Sequence, residues 1–258
     1  MIVEAPVLTD LDGIRHGFGT RRGGVSTGAF ATLNCGLRGG DELHLVLENR
    51  RRLAARLGHA EHELVAMRQV HGIRVVTVEE PWPADQAPEA DALVTRRRGL
   101  LLGVLTADCV PILLADPESG VVGAAHAGWR GTRDGIVRAT VGAMERLGAT
   151  PQRTVAVVGP AIGELSYEVG PDLVQAFVEA DARHAMFFRP GEGDRSMFDL
   201  KGLVLEQLLD AGVGRLEMLP YDTCTDEDLF FSNRRRTKRG EERFGLQLSL
   251  IGRAHSPT

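Results

Sequence analysis

The chain has few of the residues that staple secreted proteins or anchor membrane proteins. Only three cysteines, Cys35, Cys109 and Cys224, occur in 258 residues. They are odd in number and far apart, which excludes a disulfide framework and makes reduced thiols the economical reading. The longest apolar runs are interrupted by Asp or Gly and are too short to cross a bilayer, so no transmembrane helix is expected. The opening MIVEAPVLTD lacks the basic-then-apolar pattern of a secretory signal, and a cytoplasmic location is the expectation. Positive charge is not in excess either. A formal net charge of -5 argues against general binding to nucleic acid or to acidic membranes, and points to a small-molecule partner. No linker-like stretch, internal repeat or low-complexity tract divides the chain, so a single domain over residues 1–258 is expected.

What is present centres on Thr106 to Thr132, TADCVPILLADPESGVVGAAHAGWRGT. Residues 100–105 and 110–115 read as buried strands, 117–120 as a turn and 121–125 as the next strand, which places Cys109 and His126 at strand edges. Thr132 is the expected N-cap of a helix carrying Ile136, Val137, Val141, Met144 and Leu147 on one face, closed by Gly148. Around this core, strands are expected at 14–20, 64–70, 74–78, 92–95, 155–158 and 216–221. Helices are expected at 42–57, from Pro171 onward and at 203–209, the last capped by Asp199. The segment FFSNRRRTKRGEERFG reads as a basic tail to the fold. Alternating strands and helices make the class α/β, with a mixed sheet layered by helices.

Several polar features carry chemical readings. RRGGVSTG, with Gly23 and Gly24, reads equally as an anion-holding loop and as a surface hairpin tip. Arg50, Arg51, Arg52 and Arg56 ride on one helix. A solvated face suits most of them, while one turned toward a cleft would meet a phosphate bidentately. His71, in the tight link after RQV, joins Cys109 and His126 as the ligand types of an open zinc site. Their separations, 109 − 71 = 38 and 126 − 109 = 17, match no compact finger pattern, and no CxxC or HxxxH supplies a second half-site. Packed or hydrogen-bonded single residues are the alternative. Asp108 or Asp116 would orient a ligand histidine, or simply cap a turn.

RHGFGTRRGGVSTG, RQVHG, DALVT, TADCVPILLAD, HAGWRGT, GPAIG with YEVG, and the CT to FFSNRRR segment resemble, in order, the YfiH or laccase-domain family, over nearly all of the chain. The resemblance implies a purine nucleoside phosphorylase that cleaves adenosine or inosine with phosphate, with adenosine deaminase and methylthioadenosine phosphorylase side activities. It implies zinc on His71, Cys109 and His126, and an α/β architecture shared with certain cysteine-dependent deamidases. The chain departs from the family pattern at NCG, residues 34–36, and at LSYEVG before and after Tyr167; neither departure removes a proposed ligand.

The expected catalytic set is Cys109, His126, Arg130, Arg68 and Asp108, with Arg130 first and Arg68 second as phosphate anchors and Asn49 and Gln69 as further polar candidates. Trp129 reads as a cover for the core edge or as a platform for a purine. The expected partners are a purine nucleoside and inorganic phosphate, and the chain is expected to be a monomer or homodimer. Three rival readings remain. The first is a cysteine hydrolase or amide deamidase with Cys109 as nucleophile and His126 as base. The second is a copper-dependent polyphenol oxidase, which needs a denser imidazole set than 8 histidines with no HxH pair provide, copper then being adventitious. The third is a binding module using the same pocket.

Overall fold

The computed structural model describes residues 1–255, in which two mixed sheets face each other and helices cover their outer sides. The six-stranded sheet runs Arg215–Met218, Val155–Val158, Val110–Asp116, Val121–Ala127, Ala92–Thr95, Val75–Thr77. The pairings at its two edges are parallel and the inner ones antiparallel. The five-stranded sheet runs Ile2–Val3, Ile14–Gly19, Gln247–Arg253, Leu101–Thr106, Leu64–Ala66. A small sheet of Glu168–Val169, Ser196–Phe198 and Phe188–Pro190 stands beside them.

Strands buried on both faces have to be apolar throughout, and Val110–Asp116 is buried at all seven positions. Its side chains divide with period two. Ile112 and Leu114 pack toward Ile136–Arg146 and Leu200–Asp210, while Leu113 and Ala115 join Phe18, Leu102, Val104 and Ile251 of the opposite sheet. On the far side of the five-stranded sheet, Leu101, Leu248 and Leu250 pack against Leu53, Ala54 and Leu57 of the helical segment that begins with Leu43–Arg56.

Most expected elements are present, with informative shifts. Val121–Ala127 is two residues longer than expected, so His126 lies inside the strand. The helix expected to start at Thr132 begins at Trp129, breaks at Gly135 in left-handed backbone (φ 100°) and resumes as Ile136–Arg146. Thr132 is thus an interior residue and not the cap. On Leu43–Arg56, Leu43 and Leu47 are exposed and Arg50 is buried, against the simple pattern of apolar residues inside and charged ones outside. The strand expected over 64–70 stops at Ala66. The supposed basic tail holds the helix Asn233–Arg239 and leads into Gln247–Arg253, an interior strand of the five-stranded sheet.

The two sheets approach closely where Gly159 follows Val155–Val158, its N–H donating to the Pro111 carbonyl at 2.9 Å. A Cβ at Gly159 would enter the ring of Phe18, which has no exposed surface, and crowd Pro111. Gly159→Ala is expected to cost about 1–3 kcal/mol through overpacking. Thermal unfolding checks this: a melting temperature equal to that of the parent would show that the sheets have slack at this point.

Candidate active site

The donor residues converge because neighbouring strands of the six-stranded sheet begin and end together. Val110–Asp116 and Val121–Ala127 pair antiparallel with Pro111 opposite His126, which brings Cys109, just ahead of the first strand, to the end where His126 sits. Ala92–Thr95 begins at the same end, and the His126 N–H donates to the Asp91 carbonyl at 2.7 Å. His71 comes from the link between Leu64–Ala66 and Val75–Thr77, in left-handed backbone with φ 60°.

One donor atom from each of His71, Cys109 and His126 lies within 4.8 Å of the others. Cys109 Sγ is 3.9 Å from His71 Nε2, and the two imidazoles meet edge to face with centroids 4.8 Å apart. His126 is buried, Cys109 half-buried and His71 exposed, so the cluster is open on one side. A Cβ at Gly128 would stand 2.8 Å from His71 Cδ2 and 3.2 Å from Cys109 Sγ; glycine there keeps the cradle clear. Two imidazoles and a thiol with an open side form a donor set suited to a metal ion.

Asp91 organises this set. Its carboxylate has no exposed surface and accepts the Val70, His71 and Gly72 N–H groups at 3.2, 2.9 and 2.7 Å. It also lies 2.9 Å from His126 Nδ1. Burial alone would raise its pKa, but the bond to His126 and those backbone donors hold it below the ordinary carboxylate range. With Nδ1 committed to Asp91, the Nε2 of His126 is the nitrogen left to serve Cys109 or a metal. Burial opposes the Cys109 thiolate, yet His126 and His71 bring its pKa down to about 6. Burial likewise opposes the imidazolium of His126, and Cys109 and Asp91 outweigh it.

The three donors line a cavity of about 560 Å³. Its wall includes Arg38, Arg50 and Arg68, the aromatic rings of Trp82 and Phe244, and Gln69, Thr106 and Asn233, with no Asp or Glu among the lining residues. Sequence reasoning passed over Asp91, Arg38, Trp82 and Phe244. For Asp91 the one signal was its place directly before an expected strand; its partner, and the meeting of the other three from separate loops, only the fold reveals.

The remaining expected residues are placed as follows. Arg68 lines the cavity and is ion-paired with Glu89. Arg130 is exposed, with its guanidinium 4.3 Å from the Trp129 ring centroid, and is not among the residues lining the cavity. Trp129 itself is half-buried against the core. The Asp108 carboxylate turns away from the donors, accepting the Thr223 hydroxyl at 2.7 Å and the Arg234 N–H at 2.6 Å, and burial raises its pKa. Asp116 receives the Glu118 and Thr150 N–H groups and Arg153. Neither aspartate orients a donor histidine; Asp91 does. Asn49 is fully buried and ties Ser26, Thr32 and Asn34 together, while both ends of the Gln69 amide hold the backbone of Leu105. In the glycine loop, the Gly24 and Val25 N–H groups are taken by Thr32 and Asn49, so they are committed within the protein. A second group, His59, Glu63 and His255, also brings three donors within 4.8 Å.

The family model described as multi-copper polyphenol oxidoreductase laccase matches residues 15–254. A protein of Deinococcus radiodurans named purine nucleoside phosphorylase is 46% identical over 91% of this chain and 87% of its own length. A protein of an unknown prokaryotic organism named adenosine deaminase is 38% identical over 84% of this chain and 87% of its own length. Among solved structures, a Neisseria meningitidis protein of family DUF152 superposes with a TM-score of 0.87 at 32% identity, covering 99% of both chains.

In metal-free protein, alkylation of Cys109 by iodoacetamide is expected to rise through a pH of about 6, because thiolate forms above the depressed pKa. Asp91→Asn removes the anion behind His126 and is expected to shift that rise upward. A profile rising only near the ordinary thiol range in the parent protein would show that the imidazoles do not stabilise the thiolate.

Proposed function

The chain belongs to the family described as multi-copper polyphenol oxidoreductase laccase, and from that premise we propose that it is a zinc-dependent purine nucleoside phosphorylase with adenosine deaminase and methylthioadenosine phosphorylase side activities. The observation that carries this reading is the open His71, Cys109 and His126 set at the wall of a cavity whose charged lining groups among the described residues, apart from the donors, are arginines. The volume, about 560 Å³, suits a nucleoside, and Trp82 and Phe244 offer apolar surface for a purine.

The donor types suit zinc, and Asp91 behind His126 is the kind of carboxylate that fixes a ligand histidine. When bound, zinc supplies Lewis acidity at the cavity wall. The chain's own residues supply the rest. In phosphorolysis a phosphate oxygen forms a bond to the ribose anomeric carbon while the bond to the purine nitrogen breaks. The purine leaves with the electron pair and takes up a proton, giving free base and ribose-1-phosphate. Arginines lining the cavity, Arg68 among them, neutralise the incoming phosphate, and Arg130, exposed and off the cavity wall, ranks behind them. In deamination, water adds at C6 of adenine and ammonia departs, leaving inosine.

A second reading is favoured by one observation. Cys109, His126 and Asp91 stand in the order nucleophile, base, orienting carboxylate, with the thiol pKa lowered, as a cysteine hydrolase requires.

Metal-defined protein incubated with adenosine is expected to give adenine and ribose-1-phosphate only with phosphate, and inosine without it. His71→Ala and Cys109→Ala, folded by circular dichroism, are expected to lose both products. Chromatography of the reaction decides: no nucleoside turnover in any metal state, with amide hydrolysis that survives chelation and is abolished by alkylation, would replace the phosphorylase by the hydrolase. Phenol oxidation confined to copper-loaded protein would mark copper as adventitious.

A further inference from the structure

Arg50 is a buried cation with no ion-pair partner among the described residues. It lies in the middle of the helix Leu43–Arg56, is 7% exposed, and faces the five-stranded sheet instead of solvent. Its Nε donates to the Cys35 carbonyl at 2.9 Å. Among the described residues, neither of its terminal nitrogens has a hydrogen-bond acceptor, and no carboxylate lies within 4.0 Å of the guanidinium. Its helix neighbours differ: Arg51 and Arg52 both reach Glu48, at 2.7 Å each. A guanidinium stays charged in a protein, so burying one without a counter-charge costs stability that a structural role does not repay.

The side chain opens onto the same cavity as the donor set. Two further observations point to an oxyanion there. Thr106 is 2% exposed, lines the cavity, and its hydroxyl has no hydrogen-bond partner among the described residues. Among the described residues, Arg38, also on the wall, forms no ion pair, and none of the lining residues is acidic and would repel an anion. The fork left by Arg50 after Cys35 has taken Nε is an unspent pair of donors of the kind that binds phosphate.

We propose that Arg50 is the anion seat of the cavity: its terminal nitrogens, with the Thr106 hydroxyl and Arg38, bind a phosphate group beside the His71, Cys109 and His126 set. Read with the phosphorylase assignment, on which this part rests, the group is the attacking inorganic phosphate, and Arg50 ranks before Arg68 and Arg130 in holding it. The same chemistry fits the phosphate of a nucleotide substrate, and the two sources are separable.

Binding of inorganic phosphate and of adenosine 5′-monophosphate is measured by calorimetry on metal-loaded protein, for the parent, Arg50→Gln, Arg50→Lys and Arg51→Gln. Arg50→Gln is expected to weaken phosphate binding roughly 10- to 100-fold, as loss of charged hydrogen bonds does. Arg50→Lys, which keeps the charge but not the fork, falls between, and Arg51→Gln matches the parent. In turnover, the KM for phosphate rises by a similar factor while the KM for adenosine moves little. If the monophosphate binds through Arg50 and inorganic phosphate does not, the seat stands and the phosphorylase reading falls. Equal phosphate and monophosphate affinities in the parent and Arg50→Gln overturn the seat itself, whatever the protein catalyses. Should Arg50→Gln fail to fold, the parent still decides. Phosphate must raise its melting temperature beyond chloride at equal ionic strength, and no such rise overturns the proposal.

Discussion

A carboxylate with no exposed surface has to be fully hydrogen-bonded or neutral, and Asp91 satisfies this by gathering three backbone N–H groups and one imidazole. Those four donors belong to two different parts of the site. The N–H groups of residues 70–72 fix the link that carries His71 in left-handed backbone, and the imidazole is that of His126. One buried charge therefore sets the position of two of the three donors relative to each other. Cys109 is held separately. The residue before it, Asp108, adopts φ 94°, a conformation rarely taken by a residue other than glycine, and its carboxylate is pinned by Thr223 and Arg234. The crossover between the two sheets is thus clamped from the C-terminal third of the chain.

The sandwich explains why this arrangement is rigid. Both faces of the central strands are packed, so the strand ends bearing Cys109 and His126 cannot shift without disturbing a core on either side. Segments lying between the main strands and helices, residues 36–39, 67–71 and 82–87, form much of the cavity wall where that packing ends. Side chains from at least five separate stretches meet there, and their separations along the chain tell nothing of their proximity.

The apolar strands of the central sheet were legible because burial on both faces leaves continuous runs such as VPILLA and VVGAA. The apolar stripe of Ile136–Arg146 was equally plain. Gln247–Arg253 was not: its Gln247 and Ser249 are buried, and the Gln247 amide is paired with the backbone of Phe231, a compensation no hydropathy pattern reveals. The same blindness affected Arg50. Helical periodicity gave the four arginines one general reading, with a cleft-facing member allowed for but not identified, and only packing against Cys35 singles it out. The three metal-type donors were found by residue type and by resemblance, and the structure brings them together. The carboxylate that orients them was sought at Asp108 and Asp116, next to a donor or at the next strand end. It comes instead from the residue directly before Ala92–Thr95, a strand whose pairing with the one bearing His126 only the fold reveals.

The two chemical readings of the site share a proton. In the metal-free state the thiolate of Cys109 is stabilised by the imidazolium of His126, whose charge is in turn supported by Asp91. A metal ion requires the same thiolate but a neutral imidazole, so binding it expels the proton that the nucleophile-and-base pair would use. The arrangement that lowers the thiol pKa therefore prepares both states, and metal occupancy selects between them. Asp91 serves either outcome because its acceptor role toward Nδ1 is the same whether Nε2 holds a proton or an ion. Cavity charge weighs on the choice as well. Arginines on a wall that, among the described residues, has no carboxylate disfavour further cations in the cavity and favour an anionic reactant.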